Sequence, residues 1–137
     1  LKRELKGELV FRTPGYFGEP NVWGRDYDNL LAQSKMGLNL NRQEDDYYTS
    51  ARLAQLMGNG ILAFIDRASH LQELIPKDCA AFYSSREELL SQINDYHSNE
   101  AKRCAVAANG RSFYLENYSN TRVSQYICSK VQQTEFI

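Results

Sequence analysis

The pattern that most restricts this chain is an alternation of short apolar runs with stretches of helical periodicity. Ile61-Leu62-Ala63-Phe64-Ile65 is the clearest run, preceded by the turn signal Gly58-Asn59-Gly60. Five consecutive apolar residues bounded in this way read as a strand. Met36-Gly37-Leu38-Asn39-Leu40 reads as a second, buried strand, and Cys79-Ala80-Ala81-Phe82-Tyr83 as a third. Leu9-Val10-Phe11 is a shorter apolar run. It leads into residues 13–20, where Pro14, Gly15, Gly18 and Pro20 rule out regular structure.

Helical stripes fill the intervals. Trp23, Tyr27, Leu30, Leu31 and Ser34 predict a helix over about 24–35, with Trp23 as a core anchor at its start. A second helix opens near Thr49 or Ser50 and carries Leu53, Leu56 and Met57 on one face. It stops at Gly58-Asn59-Gly60, where glycine or asparagine can take the left-handed conformation. Gly58 and Gly60 follow a helix and precede a strand, the reverse of the dinucleotide-binding order. They are therefore read as structural caps at the amino ends of the strands.

A short helix is expected over 69–74, and from Ser84 onward the pattern is helical throughout. Ser84 and Ser85 with Glu87 and Glu88 form a capping-box signal ahead of the Leu89, Leu90, Ile93 stripe. A further helix runs from Ala101 to about Leu115, interrupted near Asn109-Gly110. The last opens at Ser119 or Asn120 and turns Val123, Tyr126, Ile127 and Val131 inward. Strands alternating with helices predict an α/β domain: a parallel sheet layered with helices, with a helical C-terminal third. The 137 residues fit one domain over 1–137.

Composition removes several classes of function. Lys+Arg number 16 and Asp+Glu 17, a net charge of −1 without the basic excess a nucleic-acid binder needs. No apolar run approaches the roughly 20 residues of a membrane span, and the N-terminus lacks the features of a signal peptide. Cys79, Cys104 and Cys128 are odd in number and widely spaced, which fits a reducing cytoplasm better than a disulfide framework. With His70 and His97 as the only histidines, no metal site is expected. The chain begins at Leu1 and enters a charged stretch at once, as a piece of a longer protein would.

In a parallel sheet, ligands gather beyond the carboxyl ends of the strands, here at residues 12–22, 41–48 and 66–69. The polar junction from Asn41 through Arg52 leaves a strand and enters a helix N-terminus, whose free amides and dipole suit an anion. Arg52, in the first turn, is placed either to grip phosphate or to pair with Asp45 or Asp46. Gln55, one turn on, suits the hydroxyls of a ribose or else simply faces solvent. Tyr16, Phe17, Tyr47 and Tyr48 give these loops an aromatic lining. His70 is expected to be exposed at a helix N-terminus, with no paired carboxylate to make it a general base.

The run Ser34-Lys35-Met36-Gly37-Leu38-Asn39-Leu40-Asn41 and the run from Tyr48 through Gly60 resemble the carboxyl-terminal half of group 1 glycosyltransferases, nearest the spore-maturation-type branch. The strand ending at Tyr83, the following Glu-Glu-Leu-Leu helix and Ala107-Ala108-Asn109-Gly110-Arg111 extend the likeness over most of the chain. The resemblance implies the second, donor-binding, Rossmann-like domain of a GT-B enzyme that is cytoplasmic and bacterial. Its partner would be an N-terminal acceptor-binding domain. It also implies metal-independent glycosyl transfer from a nucleotide diphosphate sugar, with no separate cofactor. By the same likeness Arg52, Ser50 and Asn41 would face the donor diphosphate, and Gln55, Tyr48 and Arg42 its ribose or sugar. Residues 12–22 would lie near the base. Many relatives carry two glutamates eight positions apart. Gln55 and Tyr47 stand in those places here, which leaves open a nucleotide- or sugar-binding module without turnover.

Overall fold

The structure, a computed structural model, describes residues 9–40 and 46–133. Strands β1 (Met36–Asn39), β2 (Leu62–Asp66) and β3 (Ala81–Tyr83) form a parallel sheet in that order. Asn39 lies beside Ile65, and Asp66 beside Tyr83, so all three strands end at one common edge. Helices α1 (Gly24–Gln33), α2 (Ala51–Gly58), α3 (Arg86–Ser98), α4 (Glu100–Tyr118) and α5 (Asn120–Gln133) surround or extend this sheet. The result is the α/β, Rossmann-like arrangement expected, with a helical C-terminal part.

The apolar run of β2 has no polar alternation because both of its faces are covered. Leu62 and Phe64 join Ala81, Tyr83, Met36 and Leu38 on one side, where Leu89 and Ile93 of α3 pack over them. Ala63 and Ile65 join Phe82 on the other, beneath Leu53, Leu56 and Met57 of α2. Full burial of a side chain such as Phe64 or Leu53 stabilises the fold by about 1.5–3 kcal/mol. The approach of α2 to β1 depends on Gly37, since a methyl group there would collide with the Leu56 side chain.

The start of α3 follows its sequence signal. Ser85 Oγ accepts from the Glu88 amide at 3.1 Å, while the Glu88 carboxylate accepts from the Ser84 amide at 2.8 Å.

Helix α4 departs from expectation. It runs unbroken through Asn109-Gly110, and the glycine serves contact rather than termination. A Cβ on Gly110 would strike the backbone carbonyl of Cys79, just ahead of β3. On either side, Asn109 Nδ2 donates to Asp78 O at 3.3 Å and Arg111 Nε to Gly58 O at 3.2 Å. Helix α4 therefore crosses the amino edge of the sheet. It contributes Ala107 to one core and packs Phe113 and Tyr114 against the other. Gly60 lies at that edge in the left-handed region at φ +70°, as expected of a helix-ending glycine, whereas Gly58 is the last helical residue of α2 and Asn59 is its C-cap.

Three further expectations are corrected. Val123, Tyr126, Ile127 and Val131 of α5 are exposed, and α5 packs chiefly against α4. Trp23 is 78% exposed and anchors nothing in the core; Leu31 is the α1 residue that packs against it. The short helix over 69–74 is instead two 3-10 turns, Arg67–Ser69 and Leu71–Glu73, split by His70 in the left-handed conformation at φ +57°. The run Leu9-Val10-Phe11 is not a strand. Beyond it, Glu19 closes a tight turn by accepting from Thr13 N at 2.9 Å and Arg12 Nε at 3.2 Å.

Candidate functional site

The carboxyl edge of the sheet lies opposite the edge that α4 crosses. Here β1 ends at Asn39 and the chain returns through residues 46–50 into α2. Ser50 is the N-cap residue of α2, yet its side chain makes no capping bond. Its hydroxyl instead donates to Asn39 Oδ1 at 3.1 Å. That bond fixes the Asn39 amide beside the helix start, where Asn39 is only 3% exposed. Asn39 Nδ2 is buried and has no hydrogen-bond partner among the described residues. An unsatisfied buried donor is costly, so one at an otherwise polar edge marks a place for an acceptor.

Arg52 reaches the same edge. Its Nη1 donates to Leu40 O, immediately after β1, at 2.6 Å. The guanidinium is exposed, and among the described residues no carboxylate pairs with it. Of the two acids that could have competed for it, Asp46 turns to His70 and Asp45 lies outside the described residues. Among the described residues, the Leu40 carbonyl engages one of the five guanidinium N–H donors. The remaining guanidinium donors, the first turn of α2 that the Ser50 side chain leaves uncapped, and the Asn39 amide are together suited to an oxyanion with several acceptor atoms.

The remaining expected site residues divide. Gln55 is on α2, but its Oε1 accepts from Tyr27 Oη of α1 at 2.7 Å, which leaves the amide NH2 as its donor group. Tyr48 is exposed on the approach to α2. Asn41 and Arg42 lie outside the described residues.

A second constellation beside this edge was not anticipated. Tyr47 Oη donates to Glu73 Oε2 at 2.6 Å, and His70 Nδ1 stands 3.0 Å from Glu73 Oε1. His70 Nε2 lies 3.7 Å from Asp46 Oδ1, and the Tyr47 and His70 ring centroids are 6.0 Å apart. His70 therefore does have paired carboxylates, contrary to expectation. The hydrogen bond to Glu73, then the charge of Asp46, raises the His70 pKa above the ordinary imidazole value. Glu73 is held below the usual carboxylate range, chiefly by the Tyr47 hydroxyl and then by His70. The only sequence signal was the three-residue spacing of His70 and Glu73.

Among the described residues, no cluster of three or more His, Cys, Asp or Glu side chains could hold a metal ion. No described helix is long and apolar enough to cross a membrane. No curated protein and no solved structure matches the chain. A family model described as glycosyl transferase-like matches residues 3–129, nearly the whole sequence. With that match over a parallel α/β sheet, this chain belongs to the glycosyl transferase-like family.

Proposed function

We propose that this chain is the donor-binding, GT-B-type domain of a glycosyltransferase, holding the diphosphate of a nucleotide sugar at the start of α2. The observation that carries the reading is Arg52, whose exposed guanidinium sits at the carboxyl edge on the Leu40 carbonyl without a carboxylate partner among the described residues. In this reading Arg52 and the first-turn amides of α2 receive the phosphate oxygens, with the buried Asn39 amide as a further donor.

During transfer the bond between the sugar's anomeric carbon and the phosphate oxygen breaks, and negative charge grows on the departing nucleoside diphosphate. Preorganised donors aimed at that charge stabilise the transition state, each by about 3 kcal/mol where water is excluded. In this reading the chain's own donors neutralise that charge without a metal ion. Gln55 would contact the ribose through its NH2, and Tyr48 would face the sugar or ribose. The acceptor site would belong to a partner domain, in a cytoplasmic bacterial enzyme.

A second reading, binding without turnover, is favoured by one observation. The two positions where many relatives carry glutamates are filled by Tyr47 and Gln55, and both side chains are already engaged, with Glu73 and Tyr27.

Isothermal titration with uridine and guanosine diphosphates tests the reading directly. One of them should bind, and Arg52→Ala should weaken it by about 1.5–3 kcal/mol, roughly ten- to a hundredfold. Absence of heat with every nucleoside diphosphate would remove the donor site. A donor-turnover assay of a longer parent protein separates the enzyme from the binding module.

A further inference from the structure

Tyr47 and His70 are both non-glycine residues in the left-handed region, at φ +61° and +57°. L side chains adopt that conformation rarely, and it persists only where the surroundings enforce it. Here each residue is held by the same group. The two oxygens of Glu73 take one residue each, the Tyr47 hydroxyl at 2.6 Å and His70 Nδ1 at 3.0 Å. The Tyr47 amide also donates to Ser69 O at 2.8 Å, so the backbone is joined to the same turn.

One side of this arrangement is anchored and the other is not. Leu71, between His70 and Glu73, is fully buried in the core beneath α2. Tyr47 is exposed and lies in the approach, residues 46–50, that delivers Ser50 and Arg52 to the carboxyl edge. Glu73 therefore transmits the position of a core-anchored turn to the chain entering α2.

We propose that Glu73 and His70 are positioning residues: they form a clamp on Tyr47 that sets the start of α2 and tightens when the imidazole is protonated. For ligand affinity, the inference rests on the donor reading above.

The proton matters for geometric reasons. A neutral imidazole can still donate from Nδ1 to Glu73. Its Nε2 would then turn a lone pair toward the Asp46 carboxylate at 3.7 Å, which is repulsive. A protonated imidazole donates at both nitrogens and draws Asp46, the residue before Tyr47, onto the turn. Among the described residues, the groups facing the ring are Glu73 from its own turn and Asp46 and Tyr47 from the approach segment. Arg67, from the preceding turn, points elsewhere, with Nη2 at 3.4 Å from Phe82 O and its guanidinium over the Phe82 ring.

The sign follows from the direction of each shift. His70 is raised by its hydrogen bond to Glu73 and the charge of Asp46, so its contribution is complete below the ordinary imidazole value and lost as pH rises through the raised one. Glu73 is lowered, so its contribution is lost only as pH falls through that lowered value. The clamp is tightest between these limits and loosens on the alkaline side.

The test reads amide exchange at Tyr47 by NMR from about pH 5 to about pH 8, corrected for the intrinsic exchange rate, in the wild-type chain, His70→Asn and Glu73→Gln. Asparagine tolerates the left-handed backbone, so His70→Asn removes the titration while keeping the turn. In the wild type, protection of the Tyr47 amide should fall by about tenfold across the His70 titration. It should be independent of pH in His70→Asn and low throughout in Glu73→Gln. Wild-type protection that does not change with pH overturns the clamp. Titrations with uridine and guanosine diphosphates over the same range supply the second readout. Affinity should weaken with rising pH in the wild type and stay level in His70→Asn; equal profiles in the two overturn the positioning role. If neither nucleotide binds at any pH while Tyr47 protection still follows the titration, the donor reading fails and the clamp stands.

Discussion

The Tyr27 hydroxyl donates to the Gln55 amide oxygen across 2.7 Å, and this bond ties α1 to α2. No residue of α1 is fully buried, and this bond and the partial packing of Leu31 contribute to its attachment. Tyr27→Phe should cost about 0.5–1.5 kcal/mol in urea denaturation, toward the low end because the bond is exposed. Gln55→Ala should cost a similar amount in stability. It should also weaken nucleoside diphosphate binding while leaving inorganic pyrophosphate unaffected. Unchanged nucleotide affinity in Gln55→Ala would take the ribose role from this residue.

Alanine at Gly110 sets two effects against each other. Replacing glycine within a helix gains about 1 kcal/mol of propensity. Overpacking costs about 1–3 kcal/mol, and here the obstacle is the Cys79 backbone carbonyl, which cannot rotate aside. Gly110→Ala should therefore be destabilising. At Gly37 the obstacle is the end of the Leu56 side chain, which can adjust, so Gly37→Ala should be the milder of the two. Thermal melts of both variants decide the order.

Ser85→Ala should cost about 1 kcal/mol by freeing the Glu88 amide at the start of α3. Threonine at the same position can keep the hydroxyl acceptor, so Ser85→Thr should recover most of the loss. Chemical denaturation of the pair distinguishes a lost cap from a general packing defect.

Ile127→Ser in α5 should change stability by no more than about 0.5 kcal/mol, because the side chain is 55% exposed. Leu53→Ala, at a site with no exposure, should cost about 2–5 kcal/mol. A large loss at Ile127 would place that stripe inside the fold after all.

These contrasts show what could be read from the sequence. Residues 61–65 were legible as a strand because burial on both faces leaves no polar position in the run. The 51–58 helix was legible because Leu53, Leu56 and Met57 keep one face and a glycine turn closes it. Gly110 misled because a glycine that ends a helix and one that lets a helix touch a backbone look alike until the neighbour is known. The α5 stripe misled for a related reason: periodicity shows which side of a helix is apolar, but not whether anything lies against it. At the site, Arg52 was legible as a first-turn residue on a helix following a strand. The link between Tyr47 and Glu73 was not, since 26 positions separate them and the left-handed backbone at both Tyr47 and His70 gives no signal in the sequence.

Because α4 lends Ala107 to one layer and Phe113 with Tyr114 to the other, neither layer can melt while its neighbour stays whole. Far-ultraviolet circular dichroism and tyrosine fluorescence should consequently trace one shared sigmoid on heating. Loop grafts at the far rim of the sheet should be absorbed locally, whereas any lengthening beside Asp78 or Gly58 would prise both halves apart at once.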